Sequence, residues 1–148
     1  MNFETLPDEV LKEFLMLKEA EARLIIRDEA QDKFMPFVHH VYENFIEGRH
    51  HLAIAEKLEK VASGEITRLI VNMPPRHSKS ELASYLMPAW FLGRNPKLKI
   101  IQATHNTELA VRFGRKAKNL IDSDSYKNIF KTTLQEDSKA AGRWETAQ

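Results

Sequence analysis

The chain has 148 residues, 43% of them hydrophobic and 9% aromatic, which is the size of one domain with enough apolar material for a core. It has no cysteine, which excludes disulfides and cysteine-held zinc, and no apolar run long enough to span a membrane. The net charge of +1 hides an asymmetry, with 8 Lys/Arg against 14 Asp/Glu in residues 1–66 and 14 against 7 in residues 67–148.

In chain order, Met1 to Asp8 has no signal-peptide pattern, so a cytoplasmic protein is expected. Pro7-Asp8-Glu9 opens a predicted helix, in which Val10, Leu11, Phe14, Leu15, Leu17, Leu24 and Ile25 recur at helical spacing to about Glu29. This acidic helix carries no readable chemistry and is expected to pack on the next domain or on a partner. Phe34 to Val38, with Pro36 inside it, breaks the pattern. Helices are then predicted over 39–46 and 50–62, the second stopped by Gly64.

From Thr67 the period changes. Thr67 to Met73 is β-branched and apolar and reads as a buried strand; Leu98 to Ala103 reads as a second one. Glu81 to Leu86 reads as a helix that Pro88 breaks or restarts, and 107–121 as an amphipathic helix. The order strand–loop–helix–strand–helix implies an α/β fold with parallel strands and a right-handed crossover. The predicted architecture is an N-terminal helical segment, 1–33, followed by an α/β domain, 34–148. Beyond Phe130 the chain turns polar and no element is predicted.

The turn between the first strand and its helix holds Pro74, Pro75, Arg76, His77, Ser78, Lys79 and Ser80. Strand, tight turn, Lys-Ser and helix is the context of a loop that binds nucleoside-triphosphate phosphates. Backbone N–H groups and the helix end hold the phosphates, Lys79 meets the outer oxygens, and Ser80 reaches Mg²⁺. Each residue has a plainer role too. Ser80 equally suits an N-terminal cap, and Arg76 either forks onto phosphate oxygens or stays a solvated turn residue. The glycines that the G-x-x-x-x-G-K-[ST] spacing asks for are replaced by Met73 and Ser78. The basic cluster Arg112, Arg115, Lys116 and Lys118 suits an anionic partner or an ordinary solvated helix face. The six histidines show no metal-ligand spacing.

Arg68 to Ser80, followed by Pro88-Ala89-Trp90-Phe91-Leu92-Gly93-Arg94-Asn95-Pro96, resembles the large terminase subunit of tailed bacteriophages. That family is an ATP-driven motor that packs DNA into capsids, and its Walker A loop commonly reads Pro-Pro-Arg, one residue, then a small residue before Lys-Ser. The similarity runs from about Phe34 to the end. It implies ATP and Mg²⁺ as ligands, with Lys79 and Arg76 in catalysis or ATP sensing. It also places His51 near the adenine base, although a helix-surface histidine is the plain reading. The implied partners are the remaining half of the subunit, the small terminase subunit, the portal and double-stranded DNA, in the host cytoplasm at the procapsid portal.

What the family pattern adds after this point is missing. The acids after Lys79 are Glu81, Glu108, Asp122, Asp124, Glu136, Asp137 and Glu145, and none closes an apolar strand as a Walker B pair does. Trp144-Glu145-Thr146 resembles the segment that precedes Walker B in the family, so the resemblance makes 34–148 an incomplete P-loop ATPase domain and the chain an N-terminal fragment without Walker B or the nuclease domain. Without the strands that the family places between them, 69–73 and 100–103 are expected either to pair directly or to leave open, exposed apolar faces. A marginally stable or self-associating chain would follow. Two other readings stand beside this one: a non-catalytic partner-binding module, and a fragment of a helicase-like P-loop protein.

Overall fold

The computed structural model describes residues 7–139 and 144–147. Helices α1 (Asp8–Asp32), α2 (Phe34–Val41) and α3 (Arg49–Ala62) come first. A single turn, α4 (Lys79–Glu81), continues through a π-helical turn (Leu82–Leu86) into α5 (Met87–Arg94). Helices α6 (Thr107–Asp122) and α7 (Asp124–Lys127) precede strands β1 (Thr133–Lys139) and β2 (Trp144–Ala147). The two strands pair antiparallel, Leu134 opposite Thr146.

The α/β expectation is therefore corrected. The described residues form a mostly helical protein whose sheet is one antiparallel pair, with no parallel strand–loop–helix unit. Residues 67–73 and 98–103 belong to no ladder. Hydrophobic periodicity reports which side chains seek a core, whereas a strand also needs a neighbour for its N–H and C=O groups. The first segment meets only the first condition: Leu69, Val71 and Met73 pack on the core while Ile70 is 86% exposed. In the second, Ile101 is 96% exposed, beside exposed Leu98 and Ile100.

Two further boundaries differ from the sequence pattern. Helix α2 starts at Phe34, not His39, because extended Lys33 ends α1 and Pro36 falls in the first turn of α2. There its missing N–H has no helical acceptor to lose. The β1–β2 pair lies where no element was expected; Trp144 anchors it by donating Nε1–H to the Gly114 carbonyl of α6 at 3.1 Å. Gly64, at φ 80°, does end α3 as expected, in a left-handed conformation that suits glycine.

The core gathers α2, the π-turn, α5, the end of α6 and α7. Phe34, Phe37, Leu82, Leu86, Trp90, Ile121 and Tyr126 are fully buried. Trp90 stacks at a tilt on Phe34 with 5.4 Å between centroids, and the Tyr126 hydroxyl donates to the Ala89 carbonyl at 2.9 Å.

Pro88 explains the π-turn. A proline at this point has no N–H for the Ser84 carbonyl, and its ring would collide with that carbonyl in a straight α-helix. The helix widens by one residue, so that the Met87 N–H reaches Leu82 O, and the freed Ser84 carbonyl accepts from Gln102 Nε2 at 2.9 Å. Segment 98–103 is thereby tied to the helix that loop 74–80 begins.

Candidate functional site

The loop 74–80 has two non-glycine residues in left-handed conformation, Arg76 at φ 65° and Ser78 at φ 58°. Each costs on the order of 1 kcal/mol for a residue with a Cβ, a strain that local structure has to hold in place. A left-handed residue followed by a helical one turns three successive N–H groups, here those of Ser78, Lys79 and Ser80, toward one concave side. The first main-chain bond of the helix runs from the Leu82 N–H to the Ser78 carbonyl at 2.9 Å, so the N–H groups before Leu82 lie ahead of the helical ladder. No side chain caps this helix start.

Lys79 is half-buried and folds back over the loop, donating from Nζ to the Met73 carbonyl at 3.5 Å. That carbonyl is a weak partner for an ammonium and leaves it donors for an anion. Ser80 and Arg76 are exposed, as are Pro74 and Pro75. His77 is pinned to the turn, its Nδ1–H donating to the Pro75 carbonyl at 2.9 Å. The structure thus brings Arg76, His77, Ser78, Lys79 and Ser80 together around one turn.

His51 lies beside this turn and is buried, so the surface placement is corrected. Its Nδ1 accepts the Gly48 N–H at 3.0 Å, which puts the ring proton on Nε2, and that buried nitrogen has no partner. The rings of His50 and His51 are 3.8 Å apart, and His50 lies 5.7 Å from His77, forming a row of imidazoles that ends on the loop. Burial, followed by the neighbouring His50, lowers the His51 pKa below its usual 6.5; a backbone contact with His77 and the charge of Glu47 pull the other way.

This shift sets a pH dependence. The unfolded chain takes up the His51 proton near 6.5 and the folded chain only at lower pH, so the stability held by neutral His51 is complete above 6.5 and lost as pH falls. Urea midpoints at pH 8 and pH 5.5 should therefore separate less in His51→Gln than in the unaltered protein. An equal separation in both would show that His51 contributes nothing to the acid loss.

Three contacts that sequence reasoning missed brace the loop helix. Glu81 takes two bonds from Lys116 Nζ, at 2.8 and 3.0 Å, and that ammonium lies 5.2 Å from the Tyr85 ring centre. Gln102 supplies the third, and its signal was already present in the sequence, since Pro88 implies a free carbonyl at Ser84. Lys116, in a cluster that suits either an anionic partner or a solvated helix face, is engaged within the protein. Glu81, the acid closest to Ser80 along the chain, is drawn to α6. Among the described residues no group of three His, Asp or Glu side chains is arranged to hold a metal, and no helix is long and apolar enough to cross a membrane.

The donor set fits a phosphate group: three N–H groups on one concave side, a lysine with spare donors and an adjacent arginine. Mg²⁺ finds the Ser80 hydroxyl at the loop and no carboxylate ligand set among the described residues. Comparison of the chain with family models, with curated proteins and with solved structures finds no match.

Proposed function

We propose that residues 74–80 bind the phosphates of ATP and that the chain is the N-terminal part of a phage DNA-packaging motor ATPase. The observation that carries the proposal is the strained turn: left-handed Arg76 and Ser78 set Lys79 at a helix start that no side chain caps. Strained backbone of this kind clusters at active sites and ligand clamps. The motor assignment rests on the likeness of residues 68–96 to large terminase subunits.

In this reading the N–H groups of Ser78, Lys79 and Ser80 orient the phosphates, and Lys79 holds the outer one. Arg76 covers the open side, with Ser80 as the Mg²⁺ ligand. Bound Mg²⁺ would neutralise charge on the phosphate oxygens. His51 supports the turn from below. A second chain carrying the acidic metal ligands, with the small terminase subunit, the portal and double-stranded DNA, would complete the motor in the host cytoplasm.

Calorimetry with Mg-ATP tests this proposal. An open loop with one metal ligand should bind at about 0.1 mM or more weakly, and Lys79→Ala should lose a further factor of at least about ten, roughly 1.4 kcal/mol. ATP turnover should not exceed that of the Lys79→Ala control, because no described carboxylate positions the metal or the attacking water. A micromolar constant that survives Lys79→Ala would refute the site. A second reading, a non-catalytic partner-binding module, is favoured by the exposed apolar residues of α1. It requires partner binding that is indifferent to Lys79→Ala.

A further inference from the structure

Helix α1 stands apart from the body over most of its length. From Asp8 to Ile26 every residue is exposed except half-buried Leu11, and Ala30, near the other end, is the one buried residue of the helix. These 19 residues span about 28 Å at helical rise. Leu17 is 63% exposed and Ile25 54%, with Val10 and Leu24 also exposed. Isolated apolar residues on a surface need no explanation, but a projecting helix with apolar residues recurring along one side does.

The seam has the spacing of a two-helix coiled coil. Val10, Phe14, Leu17 and Leu24 fall at alternating steps of four, three and seven residues, with Leu11 and Ile25 alongside. Two acids, Glu21 and Asp28, interrupt the same line, and they decide its partner. In a parallel pair, Glu21 would face Glu21 and Asp28 would face Asp28 inside the seam. An antiparallel pair of identical helices crossing near Ala20 removes both clashes, placing Glu21 beside Leu17 and Asp28 beside Val10 of the second copy. Phe14 then meets Leu24, and Leu11 meets Ile25. The flanking charges also match: Glu13 faces Arg27 of the second copy, and two-fold symmetry repeats the pair. The two Lys18 side chains come close at the centre, but each is already bonded to its own Glu21 at 2.7 Å.

We propose that the exposed seam of α1 is a self-association surface that pairs antiparallel with α1 of a second copy of this chain. The complementarity of Glu13 with Arg27 in the reversed direction selects this occupant. A seam of this length covers on the order of 1,000 Å² in total, the lower edge of specific interfaces. Arg27 also gives up part of its contact with Asp28, at 3.0 Å within the helix. Association is therefore weak, with a midpoint on the order of tens of micromolar.

Sedimentation of the full chain across roughly 1–500 µM tests the proposal and should show a monomer passing to a dimer. Leu17→Glu should keep the protein monomeric throughout, and Glu13→Arg should raise the midpoint by about tenfold or more. The double variant Glu13→Arg/Arg27→Glu should restore it, which a merely structural role for either residue would not produce. Leu17 and Glu13 are exposed, and half-buried Arg27 makes its ion pair within its own helix, so circular dichroism and melting should change little between variants at low concentration. The native chain has no cysteine, which makes thiol pairing clean. Glu13→Cys mixed with Arg27→Cys should give a disulfide-linked pair, and neither should do so alone. A monomer at every concentration, a midpoint unmoved by Glu13→Arg, or efficient linkage of Arg27→Cys with itself would overturn the proposal. A dimer that survives Leu17→Glu but is lost in Ile101→Glu would overturn it too, and would place the interface on segment 98–101.

Discussion

Trp90→Ala should lower stability by about 4 kcal/mol, the upper range for truncating a buried aromatic side chain. Trp90 is fully buried, packs against Phe34 and carries the Arg94 guanidinium 4.8 Å above its ring. It also does a job that packing alone does not describe. The last carbonyls of a helix have no partners within it, and Ala30 and Asp32 close α1. Trp90 Nε1–H donates to Ala30 O at 3.0 Å, and Arg94 donates to Asp32 O at 3.3 Å. Helix α5 therefore caps α1. Trp90→Phe separates the two effects, since it keeps most of the ring and leaves a buried carbonyl unpaired, at a cost of about 1–3 kcal/mol. Urea unfolding of the three proteins measures both. A loss below about 1.5 kcal/mol for Trp90→Ala would mean that the core closes over the gap and that the cap is dispensable.

The residues that misled sequence reading did so for identifiable reasons. Thr67 to Met73 has the composition of a buried strand, and half of that reading is right, because Leu69, Val71 and Met73 do face the core. Composition does not encode a hydrogen-bonding neighbour, and in this chain neither apolar segment finds one. Pro36 was read as a break when it opens a helix, since the same missing N–H disrupts an interior and suits a first turn. Helices α1, α3 and α6 were legible because their apolar residues repeat at helical spacing, and the ends of α1 and α3 carry Pro7 and Gly64. The β1–β2 pair had no such signal, because its anchors, Trp144 to Gly114 and Thr146 to Pro96, span 30 and 50 residues of chain.

Around the loop, legibility divides in the same way. Residues 74–80 could be picked out because a tight turn before Lys-Ser and a helix is a local pattern. The left-handed backbone at Arg76 and Ser78 could not be, since neither residue type announces it. His51 was picked out only by resemblance, and its burial against the row of imidazoles comes from α3 packing beside the turn. Glu81 shows how a tertiary contact changes a reading: next to Ser80 in sequence it looks available to a metal, yet Lys116 of α6, 35 residues further on, takes both its oxygens.

Gly93→Ala should destabilise the protein by about 2 kcal/mol, against the usual effect of that substitution. Gly93 lies inside α5, where alanine is ordinarily worth about 1 kcal/mol more than glycine. A Cβ on Gly93, however, would sit 2.5 Å from Cγ and Cδ2 of Phe130 and 2.7 Å from Cε2. Those distances require the ring to move. Phe130 is itself buried, 5.9 Å from the Phe37 ring and 5.2 Å from the Tyr126 ring, so moving it disturbs those ring contacts. Overpacking of this kind costs up to about 3 kcal/mol, which outweighs the gain in helix propensity and decides the sign. Phe130→Leu should recover part of the loss in the double variant, because a smaller side chain leaves room for the methyl. Helix α5 also carries the loop through the π-turn, so the same variant should weaken Mg-ATP binding when measured well below its melting temperature. Stability equal to or above that of the unaltered protein in Gly93→Ala would show that the α5–Phe130 contact is loose. The seat of the loop helix would then have to be sought in Trp90 and Tyr126 alone.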